Sequence, residues 1–131
     1  MSEPKLPRPT DAELASLQVM WERGPRTVRE VHEVLNQGDA GTGYTTVLKL
    51  MQIMTEKGLV ERDESQRAHV YRTRATQQKT QRQLVTDLLN RAFGGSPTRL
   101  AMQALSTKKA SAEELAELRQ LLDTLEEEEK P

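Results

Sequence analysis

The sequence predicts a mainly α fold with one small β-hairpin. Three observations carry this expectation. Aromatic residues are scarce, with Trp21, Tyr44, Tyr71 and Phe93 the full set in 131 residues, so a core must be built from Leu, Val, Met and Ala. Apolar residues recur at helical spacing along most of the chain and switch to a period of two only around Leu59–Asp63 and Ala68–Thr73. Three positions, Thr10, Thr27 and Ser111, are each followed three residues later by Glu, the signature of a capping box at a helix start.

Taken in order, residues 1–9 read as a tail, with Pro4, Pro7 and Pro9 and little to bury. Thr10 and Glu13 open a helix over about 11–23, with Leu14, Leu17, Met20 and Trp21 on one face and Gly24-Pro25 as its stop. Thr27 and Glu30 open a second helix, about 28–37, with Val28, Val31, Val34 and Leu35 as a narrow stripe. Residues 38–43 read as a flexible turn. A third helix, about 44–57, puts Val47, Leu50, Met51 and Met54 on one face, and Lys57-Gly58 ends it. The two strands follow, joined by the polar loop Glu64-Ser65-Gln66-Arg67. Beyond Thr76 the pattern is helical again, with Leu84, Val85, Leu88, Leu89, Ala92 and Phe93 closed by Gly94-Gly95. Ser96-Pro97 opens another helix, which carries Leu100, Ala101, Ala104 and Leu105. Ser111 and Glu114 open the last one, with Leu115, Leu118, Leu121, Leu122 and Leu125.

A chain of this length supports one modest core. The surplus stripes at Leu84, Leu88, Leu89, Phe93, Leu100, Leu105, Leu115, Leu118, Leu122 and Leu125 are therefore expected to close against a partner chain. Several function classes fall away. No apolar run approaches a membrane span, and Met1–Thr10 lacks the apolar segment of a signal peptide. A soluble, cytoplasmic protein is expected. There is no Cys, which removes disulfides, thiolate metal sites and thiol catalysis. His32 and His69 stand far apart, and no Asp/Glu/His cluster has metal-ligand spacing, so neither a metal nor a cofactor is expected. No nucleophile–base motif or phosphate loop points to an enzyme.

The net charge of −1 conceals an uneven distribution. Residues 1–41 carry −2, residues 42–82 carry +4, residues 83–109 carry +3 and residues 110–131 carry −6. A basic middle suits a nucleic-acid surface. Three helices followed by a two-stranded hairpin form a winged helix-turn-helix arrangement, expected over residues 10–75, with a helical dimerisation region over 76–131. The third helix would enter the major groove. Thr45 and Thr46 offer hydroxyls and methyls to base edges, Lys49 lies one turn later, and Tyr44 can donate to a phosphate at the helix start. Gln66, Arg67, Arg72 and Arg74 are phosphate-contact candidates on the wing. Singly, a Thr pair reads as helix capping, Lys49 as a solvated charge and Arg67 as a loop residue. Their order along the chain, with no acid between Ala40 and Thr55, favours DNA.

The stretch Gly43-Tyr44-Thr45-Thr46-Val47-Leu48-Lys49-Leu50-Met51, followed by Glu56-Lys57-Gly58-Leu59-Val60 and Val70-Tyr71-Arg72, resembles the penicillinase-repressor family. Members are bacterial repressors of β-lactamase and methicillin-resistance operons. Further matches are Glu13-Leu14, Trp21, Thr27-Val28-Arg29-Glu30-Val31, Phe93-Gly94-Gly95-Ser96, and Glu114-Leu115 with Leu118-Arg119, so the resemblance spans roughly residues 8–125. It implies a homodimer that represses transcription by binding an inverted-repeat operator in double-stranded DNA. Thr45, Thr46 and Lys49 would be the recognition contacts, and Tyr44 and Arg67 the backbone contacts. It also implies release by an upstream signal such as a sensor-linked protease. Three features depart from the pattern. Ile53 stands where many members carry a basic residue. The resistance repressors are cut at an Asn-Phe bond, where this chain has Gln103-Ala104. The related copper-transport repressors bind metal through C-terminal cysteines, which this chain lacks. The competing reading is a winged-helix protein-interaction module that does not bind DNA. Leu48 and Ile53 are the residues that hint at it. Operator, regulated genes and inducing signal, whether cleavage, ligand or phosphorylation, stay open at this stage.

Overall fold

A computed structural model describes residues 7–37 and 42–130. The order is α1 (Asp11–Arg23), β1 (Arg26–Thr27), α2 (Val28–Leu35), α3 (Tyr44–Lys57), β2 (Val60–Asp63), β3 (Val70–Thr73), α4 (Gln77–Ala92), α5 (Pro97–Thr107) and α6 (Ala112–Glu129). The fold is mainly helical with a small antiparallel sheet, as the periodicity implies. The chain divides into two compact units, residues 1–86 and 87–131, and the division falls inside α4. Among the described residues no helix is long and apolar enough to cross a membrane.

All three capping boxes form. Thr10, Thr27 and Ser111 each accept from the backbone N–H three residues on, and the matching Glu side chain accepts from the cap backbone. α2 is shorter than the expected span of 28–37 and stops with the last residue of its apolar stripe. It ends at Leu35 because Asn36 turns its side chain to the loop beyond: its amide donates to the Thr42 carbonyl at 2.9 Å, and the Thr42 N–H donates back to its oxygen at 3.2 Å. That reciprocal pair fixes the chain entering α3. Most of the expected turn, residues 38–41, lies outside the described residues, as do residues 1–6 of the expected tail.

The sheet has three strands where the sequence suggests two. Its order is β1-β3-β2, with Arg26 opposite Tyr71 and Glu61 opposite Arg72. β1 escapes sequence reading because Thr27 serves both as a strand residue and as the N-cap of α2. Both hairpin strands also start later than expected, at Val60 and Val70.

The first unit is built around one core. Leu17, Val19 and Met20 of α1, Val28 and Val31 of α2, and Val47, Met51 and Met54 of α3 pack with Leu59, Val60 and Tyr71. Gly58 ends α3 in the left-handed region at φ 83°, where a Cβ would be strained, and the Leu59 N–H reaches back to the Met54 carbonyl at 2.9 Å. Trp21 donates its indole N–H to the Ala75 carbonyl at 3.0 Å, tying α1 to the chain after the hairpin.

Glu13 is the charged residue at the edge of this core, 2% exposed. It accepts from the Thr10 N–H at 2.8 Å and from the Lys57 ammonium at 2.6 Å, so one carboxylate caps α1 and grips the end of α3. Burial pushes the Glu13 carboxyl up. The hydrogen bonds from Lys57 and Thr10, with the Lys57 charge, outweigh that and hold it below its ordinary value.

Candidate nucleic-acid interface

The core fixes the orientation of α3. Val47, Met51 and Met54 are fully buried, and at about 100° per residue the opposite side carries Thr45, Lys49, Gln52 and Glu56, all exposed. Thr46 and Ile53 lie along one edge of that face and Tyr44 and Leu48 along the other. Gly43 is the N-cap and makes no side-chain cap bond, and the first turn holds no acid. Thr45 and Thr46 therefore do not cap the helix, and their hydroxyls make no hydrogen bond among the described residues. The leading amides of α3 and the positive end of its dipole face outward, an environment that favours anions.

Each edge of the face borders a hollow. Toward α1, Thr46, Lys49 and Ile53 line a space of about 340 Å³ with Ala12, Ala15, Leu35, Thr42 and Leu50. Toward the hairpin, Tyr44 and Leu48 line a groove of about 380 Å³ with Thr27, Val28, Arg29, Arg67, Ala68, His69 and Tyr71. The structure thus brings Tyr44 and Arg67 to one groove although they come from different elements. It adds Arg29 and His69 there, two residues that the sequence reading treats only as part of a capping box and a strand. Tyr44 stands edge-on to His32, with ring centroids 5.9 Å apart at 79°, which props the phenol at the helix start.

The hairpin tip is ordered by Asp63, which accepts from the Ser65 N–H at 2.9 Å. The Ser65 hydroxyl and N–H hold the Asp63 carboxyl below its usual range. Gln66 and Arg67 are exposed at that tip. Arg72 and Arg74 sit elsewhere. Side chains alternate along β3, and where Tyr71 lines the groove beside α3, Arg72 and Arg74 line a separate depression with Thr55, Glu61, Arg62 and Asp63. Both are engaged by Glu61: Arg72 Nη2 lies 3.0 Å from one carboxylate oxygen and Arg74 Nε 3.5 Å from the other. The eight candidate DNA contacts therefore fall into a set on α3 and the wing tip, and an internally paired set on the outer face of the sheet.

The second unit contrasts with this. Neither α5 nor α6 contains a buried residue, and the buried residue of α4, Thr80, lies in the part of that helix that belongs to the first unit. Leu88, Leu105, Leu115, Leu122 and Leu125 are exposed, while Leu84, Leu89, Phe93, Leu100 and Leu118 are half-buried. Among the described residues no group of three His, Asp or Glu stands close enough to hold a metal ion.

Comparison with known proteins agrees over most of the chain. The family described as penicillinase repressor matches residues 9–124. The transcriptional regulator BlaI of Mycobacterium tuberculosis is 34% identical over 123 residues, which cover 93% of this chain and 88% of that protein. The penicillinase repressor of Bacillus licheniformis is 25% identical over 119 residues, covering 91% of this chain and 92% of its own length. The solved structure of the transcriptional regulator Tm0710 from Thermotoga maritima aligns with 93% of this chain and 80% of its own, at 20% identity and a TM-score of 0.47.

Proposed function

The chain belongs to the penicillinase repressor family of transcriptional repressors, and from that premise we propose that it acts as a cytoplasmic homodimer that blocks transcription by binding an inverted-repeat operator. Residues 10–75 form the DNA-binding region of each copy and residues 76–131 the dimerisation region. Thr45, Thr46 and Lys49 read base edges. Tyr44, Gln66 and Arg67 hold the phosphate backbone.

The observation that carries this reading is the first turn of α3. It is free of acid, uncapped by any side chain, and backed by three fully buried residues, so Thr45 and Lys49 project from a rigid support. Thr45, Lys49 and Gln52 occupy the N-terminal part of the exposed face, where a protein-interaction surface would carry apolar or acidic residues, and the acid of that face, Glu56, stands at its C-terminal end. Arg72 and Arg74 share the charge of Glu61, so their expected part in phosphate binding is smaller than that of Arg67.

Two copies account for the unclosed apolar faces of α4, α5 and α6, and a two-fold dimer matches a two-fold operator. Release follows an upstream signal such as a sensor-linked protease. Gln103 and Ala104 are exposed on α5, but helical backbone must open locally before a protease can seat it. The regulated genes belong to a β-lactam response by analogy with the family.

Capture of genomic fragments by the purified protein at near-physiological salt tests the proposal. It should enrich one inverted repeat, with binding that weakens steeply as salt rises. Sequence-blind capture alone would overturn it and return the protein-interaction reading.

A further inference from the structure

We propose that Ile53 reads the methyl group of a thymine in each half-site, which extends the base-contacting row of α3 to Thr46, Lys49 and Ile53. The inference rests on the operator-reading function above. These residues stand at i, i+3 and i+7 and line the same hollow beside α1. At 1.5 Å per residue the row spans roughly 10 Å, close to three base-pair steps, so one helix face can follow the floor of the major groove along its length.

The chemistry of the row is methyl, cation, methyl. Ile53 is 39% exposed, and its neighbours in the hollow include Ala12, Ala15 and Leu50. No acid lines that space. Ile53 offers no donor to a phosphate. In the major groove the apolar group within reach of a protein is the C5-methyl of thymine, and contact with it expels water from both surfaces. Because the hollow also holds Thr46 and Lys49, the residues assigned to base edges above, DNA is the occupant this proposal takes for it.

The test replaces each operator thymine in turn by uracil, which removes one methyl and leaves every hydrogen-bonding group in place. Binding of full-length wild-type and Ile53→Ala proteins is measured on each duplex. At one thymine per half-site, uracil should weaken the wild-type protein about fourfold, and the variant should bind the thymine and uracil duplexes equally. At the other thymines both proteins should respond alike. The variant should keep the helical content of the wild type by circular dichroism and its mass by sedimentation. Specific binding with the same uracil response in both proteins at every position would overturn the role of Ile53 alone. So would an Ile53→Ala variant whose defect is loss of the dimer by sedimentation. A wild-type protein that did not distinguish operator from scrambled duplex would overturn both this role and the operator-reading function.

Discussion

The two units of this chain use similar apolar content in opposite ways. The first gathers eleven apolar side chains from α1 to β3 into a closed core and exposes a polar helix face whose first turn is free of acid. The second buries none of the side chains of α5 or α6, although Leu121 and Leu122 are 52% and 58% exposed. A closed core makes a module that holds its shape alone. An open leucine face is the surface on which the proposed second copy would dock. In the proposed function the closed unit reads the operator and the open one links two copies.

The comparison breaks most sharply at the open faces. Replacing Leu118 and Leu122 together by Asp should convert the dimer to a monomer and weaken operator binding by about 100-fold or more through loss of avidity. The thermal midpoint of the first unit should stay close to wild type in calorimetry. Met51→Ala does the reverse. Met51 is fully buried in the core, so truncation should destabilise the first unit by about 2–5 kcal/mol in chemical denaturation.

Lys57→Met sharpens the account of how the closed core tolerates a charge. It leaves Glu13 without its cation, with an expected loss of about 1–3 kcal/mol, moderated because the Lys57 side chain is 31% exposed. The sign with pH is fixed by the depressed Glu13 value. The carboxylate contributes its full stability above its unfolded-state pKa, and that contribution fades as pH falls through the lower folded value. Acid titration of stability should therefore be steeper for wild type than for Lys57→Met. At the reading face, Lys49→Ala should reduce operator affinity by about 1–3 kcal/mol and leave non-operator affinity nearly unchanged. Arg67→Ala should weaken both, and lower the salt slope by about one. The smallest effect is at Arg72→Ala, where Glu61 already holds the guanidinium; its change in the salt slope should fall below that of Arg67→Ala.

Much of this was legible in the residues. α1 and α3 begin and end where their caps and glycines indicate, because capping boxes and a left-handed Gly58 are local chemistry. The face of α3 was legible for the same reason, since a helix with Val47, Met51 and Met54 on one side must present Thr45 and Lys49 on the other. β1 was not, because a two-residue strand has no periodicity. The pairing of Arg72 with Glu61 was hidden as well: it depends on cross-strand register, which requires the loop length between strands that begin at Val60 and Val70. Arg29 and His69 join Tyr44 and Arg67 only through tertiary packing. The openness of α5 and α6 could be inferred from surplus leucine. What closes over them depends on packing between elements, which a linear pattern does not encode.

The most direct test of the account is the mass of the complex formed on the captured inverted repeat, measured by sedimentation equilibrium against a scrambled duplex of equal length. The account predicts two chains of 14.8 kDa on each operator duplex, bound together, and at the same protein concentration no such discrete complex on the scrambled one. A single chain per operator, or equal loading of both duplexes, would contradict it.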